Sequence, residues 1–171
     1  MPWPISTLVV ALIQRETQLL LVEAQGPDDP TPVWMLPGGR VETDEGLLEA
    51  LRRELAEETG LQIAGEPQLA FEVEVEYRTD IATGPYRALT YACEATGQLR
   101  PGDPDGLVRS AAWMEASEAL DRLSVLEWYE SEPLRRFLSG EAAAGATYRY
   151  RVTGKRGSMM REGLELVDGP A

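Results

Sequence analysis

The sequence predicts an α/β fold, a sandwich in which a mixed β-sheet is covered by helices on its faces. Three observations carry that reading. Strand-like and helix-like segments follow one another in strand-helix-strand-helix order along the 171 residues. Leu69, Phe71, Val73, Val75 and Tyr77 alternate with Glu72, Glu74 and Glu76, the period-two pattern of a half-buried strand. Leu47, Leu48, Leu51 and Leu55 recur at helical spacing and form one apolar stripe, so their helix packs by that face on a core.

Taken in order, Ser6 to Arg15 and Gln18 to Glu23 are two β-rich runs, and Glu16-Thr17 between them makes a hairpin. Gly26 to Pro32 is rich in turn formers and reads as a loop. Trp34 to Leu36 is a short strand, and Pro37-Gly38-Gly39 turns the chain toward the leucine-striped helix. The glycines permit a tight backbone with open carbonyls, suited to the approach of a metal or phosphate. Thr43 is the expected helix cap, with Asp44 and Glu45 in the first turn where the dipole favours anions, and Gly60 closes the far end.

Beyond the helix, Leu69–Tyr77 is a strand, Asp80–Pro85 a turn and Tyr86–Thr96 the returning strand. Gly97–Gly106 is a loop carrying Asp103 and Asp105, and Ala111–Glu115 is a further strand. Ser117–Leu123 reads as a short helix. Ser124 and Glu127 fit a capping box opening a second helix toward Leu138, with Pro133 marking a kink or restart. Residues 1–140 are expected to form one domain. Residues 141–171 read as an extension: a linker at Glu141–Gly145, then Tyr148–Val152 and Ser158–Val167 as arms of a hairpin. Arg149, Arg151, Lys155, Arg156 and Arg161 make this tail the most basic part of the chain. A solvated hairpin, a dimer contact and phosphate capture are the readings open for it.

Composition narrows the function. A formal net charge of −13 argues against gripping long DNA or RNA, which needs a basic face. The chain has no histidine, which removes imidazole metal ligands and histidine-dependent triads. Cys93 is alone, so no intrachain disulfide forms, and a cytoplasmic location is expected. Ile5–Ile13 is too short to span a bilayer and lacks the flanks of a leader, so no membrane association is expected.

The anomaly is acidic. Glu54, Glu57 and Glu58 stand at i, i+3 and i+4 and converge on one patch, with Glu54 and Glu58 beside the leucine stripe. Like charges at this spacing repel, and partial burial adds to the cost. Arg53 neutralises one of them at most. Clustered hard oxygens suit a divalent cation, Mg²⁺ or Mn²⁺.

Gly39, five residues on to Glu45, seven more to Arg53-Glu54-Leu55, then Ala56-Glu57-Glu58-Thr59-Gly60-Leu61 resembles the complete Nudix box, GX5EX7REUXEEXGU. The resemblance implies a Nudix-type α/β/α sandwich and a hydrolase that cleaves a phosphoanhydride in a nucleoside diphosphate linked to another moiety. It implies metal ligation by Glu54, Glu57, Glu58 and the Gly39 carbonyl. Arg53 matches the position that orients the box carboxylates, and Glu45 a supporting one. The base is open: a box glutamate acting on water, or Asp103, Asp105 or Glu115 from elsewhere.

Substrate choice lies outside the box. The default is a small nucleotide, a free nucleoside di- or triphosphate. A dinucleoside polyphosphate or a nucleoside-diphosphate sugar such as ADP-ribose is the alternative, and a non-catalytic nucleotide-binding module is the rival of another class. Trp34, Phe71, Tyr77 and Tyr86 are stacking candidates; Arg15, Arg40, Arg78 and Arg87 are phosphate candidates. A monomer or homodimer is expected.

Overall fold

The computed structural model describes residues 6–25, 31–79, 83–124, 128–154 and 164–170. Nine strands, β1 (Ser6–Arg15), β2 (Gln18–Ala24), β3 (Val33–Met35), β4 (Gly38–Arg40), β5 (Gln62–Thr79), β6 (Thr83–Thr96), β7 (Val108–Glu115), β8 (Ala146–Gly154) and β9 (Leu164–Asp168), are found among them. Three helices, α1 (Leu47–Thr59), α2 (Ala116–Leu123) and α3 (Trp128–Leu138), accompany the strands. The sheet runs β3-β2-β1-β6-β5-β8-β9, with β4 beside β1 and β7 beside β2. It is mixed: β1 pairs in parallel with β6 and β5 with β8, while the other pairings are antiparallel. Among the described residues no helix is long and apolar enough to cross a membrane.

The core lies on both faces of this sheet. Val9, Ala11 and Ile13 of β1 and Leu20 of β2 meet Ala50, Leu51 and Leu55 of α1. Leu12, Leu19 and Leu21 point the other way, joining Phe71, Val73, Val75, Tyr148 and Tyr150 under Ala119 and Leu123 of α2 and Leu134 of α3. Period-two alternation along β1 and β2 therefore separates α1 from α2 and α3, giving the α/β/α sandwich. Leu51 and Leu55 are almost wholly buried, each burial contributing about 1.5–3 kcal/mol. This burial fixes the acid-bearing edge of α1 against β4 and β1.

Four local expectations are corrected. The cap of α1 is Gly46, not Thr43: Gly46 N–H donates to the Glu49 carboxylate at 3.3 Å, and Leu47 is the first helical residue. Asp44, at φ 67°, and Glu45 belong to a turn before the helix, closed by Glu42 N–H on Glu45 Oε2 at 3.1 Å. Gly38-Gly39 is not merely a turn, since with Arg40 it forms β4 against Val10, Val9 and Leu8. Strand β5 begins at Gln62, well before Leu69. Gly65 and Pro67 fall in a bulge between Ala64 and Gln68, and a second bulge lies between Leu69 and Phe71.

Gly60 does end α1, at φ 77°, and Glu16, at φ 53°, sits in the β1–β2 hairpin. Helix α3 runs through Pro133. The expected capping box at Ser124–Glu127 lies partly outside the described residues, as do part of the Asp80–Pro85 turn and the Ser158–Val167 arm before Leu164.

Candidate active site

The acidic edge of α1 is organised by Arg53, and every nitrogen of its guanidinium is engaged. Nε donates to Glu45 Oε1 at 2.8 Å, and Nη2 donates to Glu45 Oε2 at 2.9 Å and to the Arg40 carbonyl at 3.1 Å. Nη1 donates to Glu54 Oε1 at 2.8 Å and lies 3.4 Å from Glu57 Oε2. One side chain thus ties the turn before the helix, the end of β4 and two helix carboxylates together. The Glu45 carboxyl is held down at about 2, first by the Arg53 hydrogen bond and then by Glu42 N–H. Glu45 in turn holds the guanidinium far above its ordinary pKa.

Glu54 and Glu58 feel the opposite pressure. Burial pushes the Glu54 carboxyl up against the pull of Arg53. Burial pushes Glu58 up to about 8, although Gly38 N–H donates to its Oε2 at 2.9 Å; the charges of Glu54, Asp103 and Glu57 add to the rise. Glu54 lies directly against Gly39. A Cβ at that position would run into its carboxylate, so the glycine leaves room for an acid.

Asp103 belongs to this electrostatic group, because its charge acts on both Glu54 and Glu58. Its own oxygens organise the β6–β7 loop: Oδ1 accepts Asp105 N–H at 3.1 Å, and Oδ2 accepts Leu107 and Val108 N–H at 2.8 and 2.9 Å. Arg100 N–H donates to the Thr59 carbonyl at 2.7 Å, docking the same loop on the end of α1. Glu115 pairs with Gln18 beside the β1–β2 hairpin and leads into α2.

The residues present suit a divalent cation. Three carboxylates and a glycine carbonyl supply hard oxygens, and the single cation among them is largely committed to Glu45. As they stand, no three acidic side chains among the described residues converge on one point. Arg53 holds Glu54 and Glu57, and Gly38 holds Glu58.

The remaining predicted contacts divide. Arg40 is exposed and offers its carbonyl to Arg53. Arg87 pairs with Glu72. Arg78 pairs with Glu76 at 2.8 Å, six residues along β5 from Glu72, about 20 Å at strand rise. Tyr77 packs edge-on to Tyr86 at 6.5 Å on the α2/α3 face, away from α1. Trp34 packs against the same core, and Arg15 lies over the Trp113 ring at 4.1 Å. The tail's Arg149 and Arg151 are engaged within the chain, by Glu74 and Asp168 and by Glu76 and Glu165. The strand glutamates are therefore cross-strand partners and not only a solvated face. Lys155, Arg156 and Arg161 lie outside the described residues.

One feature escaped sequence reading. On the other side of Gly38 from Glu58, an apolar cleft opens between β1, β3, β5, β6, α2 and α3, lined among others by Val10, Leu36, Phe71, Ala88, Thr90 and Leu134. With Gly38 of β4, its walls come from seven separate elements, so no local spacing reveals it. Of the Pro37-Gly38-Gly39 signal, Gly38 lines it.

An α/β sandwich with an acid-bearing helix against a diglycine strand defines a hydrolase of the Nudix class. The chain belongs to the NUDIX domain family, whose pattern it matches over residues 2–137, and it is a Nudix hydrolase. It is similar to the Escherichia coli K12 phosphatase NudJ, with 30% identity over 134 residues, 78% of this chain and 83% of that protein. It also resembles the CTP pyrophosphohydrolase of the same strain, with 40% identity over 55 residues; that match spans 32% of this chain and 41% of that protein. In fold it resembles the MutT protein of Bacillus halodurans, with a TM-score of 0.65 and 17% identity over 97% of each chain.

Proposed function

We propose that this chain is a divalent-metal-dependent hydrolase of a phosphoanhydride bond in a nucleoside di- or triphosphate. The observation that carries the reading is the grouping of acids along one edge of α1: Arg53 binds Glu54 and Glu57, Glu54 lies against Gly39, and the Gly38 N–H binds Glu58, with Gly38 also lining an apolar cleft. Similarity to a CTP pyrophosphohydrolase and to a phosphatase supports a nucleotide as the phosphorylated substrate.

Glu54, Glu57, Glu58 and the Gly39 carbonyl would hold Mg²⁺ or Mn²⁺. When bound, the ion neutralises charge on the phosphate oxygens and favours attack by water. The chain's own residues set that arrangement up. Arg53 holds Glu54 and Glu57 close together, and the Gly38 N–H fixes the Glu58 carboxylate beside β4. Glu45 keeps the guanidinium in place. Asp103 acts on the site by its charge while its oxygens hold the loop, which favours a box glutamate as base.

The test is phosphate and pyrophosphate release from nucleoside di- and triphosphates, ADP-ribose, NADH and a diadenosine polyphosphate, with Mg²⁺, Mn²⁺ or EDTA. Turnover that requires metal and falls at least a hundredfold in Glu57→Gln and Glu58→Gln, both folded, is expected. Undiminished turnover in either variant would sink the site assignment. Binding without turnover would leave a nucleotide-binding module.

A further inference from the structure

Helix α1 covers its face of the sheet over β1, β2 and the far half of β6, where Tyr91 and Cys93 pack beneath it. Arg87 lies earlier on the same face of β6 by the period-two rule. From Arg87 a single row of charge crosses four strands in register: Arg87 of β6, Glu74 of β5, Arg149 of β8 and Asp168 of β9. The signs run plus, minus, plus, minus. A second row, Glu76, Arg151 and Glu165, continues the same order over β5, β8 and β9. With Arg78 on Glu76 and Glu72 on Arg87, four arginines stand against five carboxylates. This patch is within one charge of neutral in a chain of formal net charge −13. Two copies of so acidic a chain repel, and a near-neutral face is where they can approach.

We propose that this striped face docks a second copy of the chain, face to face, about a two-fold axis running along the strands between β5 and β8. Turning the row about that axis reverses its order. Glu74 then stands opposite the partner's Arg149, and Arg87 opposite the partner's Asp168. In the second row Glu76 meets the partner's Arg151. Val167, 49% exposed, comes over the partner's β6 edge at Pro85, and both residues line one hollow in the patch. Shape follows charge, because a uniformly twisted sheet keeps its contour when turned about its own strand direction, and sheets pack with their strands aligned. The arginines are also prepared for a second carboxylate. Arg149 uses Nε on Glu74 and Nη1 on Asp168, and Arg151 uses Nε on Glu76 and Nη1 on Glu165. Each guanidinium has five N–H donors, so both forks are held in place with donors to spare. Three strand spacings and the nine residues of β8 give a footprint of about 14 by 30 Å. That is the size of a weak, transient contact.

Sedimentation velocity from about 1 to 300 µM chain should show a concentration-dependent dimer with a Kd on the order of 10–100 µM. Glu74→Arg and Arg149→Glu each set like charges opposite one another, and each should weaken the dimer by about tenfold or more. Both side chains are half-exposed, so each variant should melt within a few degrees of the parent. Mixed in equal amounts, each variant supplies the sign that the other lacks, and the dimer should return to within about threefold of the parent's Kd. Overall charge alone predicts a different pattern: Glu74→Arg, less acidic, would dimerise better and Arg149→Glu worse. That pattern would overturn the proposal. A chain carrying both substitutions keeps a cross-strand pair and an order that still reverses onto its opposite, and it should dimerise as the parent does, which keeps the test open if a single variant melts early. A parent that stays monomeric throughout, a dimer that neither variant weakens, or a mixture that stays monomeric would each overturn the proposal.

Discussion

Arg53 and Glu45 meet as two forks, with Nε 2.8 Å from Oε1 and Nη2 2.9 Å from Oε2. The pair joins a turn before the helix to the helix's second turn, and it leaves Nη1 for Glu54 and Glu57. A point charge cannot make these contacts together, so Arg53→Lys should lose geometry while keeping charge. Turnover in that variant is expected to fall about 10–100-fold, the usual cost of disturbing the groups that orient ligands. Activity equal to the parent's would show that the clamp is dispensable. The pair also has a pH signature. Glu45 is depressed from 4.5 to about 2, so its stabilising contribution is present above its unfolded pKa and is lost as pH falls toward 2. Glu45→Gln should therefore flatten the acid limb of the melting-temperature profile.

Glu58 has the opposite sign. Its carboxyl is raised from 4.5 to about 8, so between those values the native state holds a proton that the unfolded chain has released. Stability of the metal-free protein should then fall as pH rises through that window. Melting in EDTA at pH 5 and pH 8 would show it, and Glu58→Gln should reduce the difference. Adding Mg²⁺ should raise the melting temperature more at pH 8 than at pH 5, because the cation replaces the proton. A parent and a variant with identical pH profiles would contradict the burial argument.

The two glycines of β4 separate packing from chemistry. At Gly38 a Cβ would strike the backbone of Val9, which cannot yield. At Gly39 the three atoms nearest to it would be the carboxylate end of the Glu54 side chain, which can swing away. Gly38→Ala is expected to lower the melting temperature sharply. Gly39→Ala should melt within a few degrees of the parent while losing at least tenfold in Mn²⁺ affinity by calorimetry. The reverse ranking would mean that Gly39 serves the strand and not the acids.

Much of this was legible from spacing. The leucine stripe oriented α1, and the i, i+3 spacing of Glu54 and Glu57 lets both meet Arg53, while Glu58 turns to the Gly38 N–H. The alternation from Phe71 to Tyr77 put the glutamates on one face. What the sequence hid was non-local. Thr43 looked like a cap because nothing nearby shows that Arg53 draws Glu45 out of the helix. Arg78 and Arg87 looked available because their partners Glu76 and Glu72 were expected to face solvent. The cleft needs β1 and β6 side by side, a parallel pairing across a long stretch of chain that no short motif encodes.

The tail offers the clearest contrast between composition and structure. Its arginines suggested an appendage, yet β8 lies in parallel along β5 from Phe71↔Ala146 to Thr79↔Gly154. Tyr148, Tyr150 and Val152 of β8 are buried in the core beneath α3. Removing residues after Gly140 would expose one edge of β5 and take these side chains from the core; loss of a buried aromatic alone costs about 3–5 kcal/mol. The truncated chain is expected to lose cooperative melting, not merely to change its mass in solution. A cooperative, active truncation would make the tail an accessory after all. A gentler probe is Tyr148→Phe. The Tyr148 hydroxyl is buried with no hydrogen-bond partner among the described residues, so its removal should leave stability unchanged or raise it by about 1 kcal/mol. A marked loss would mean that the hydroxyl has a partner in the folded protein, and a denaturant midpoint at constant slope separates the two.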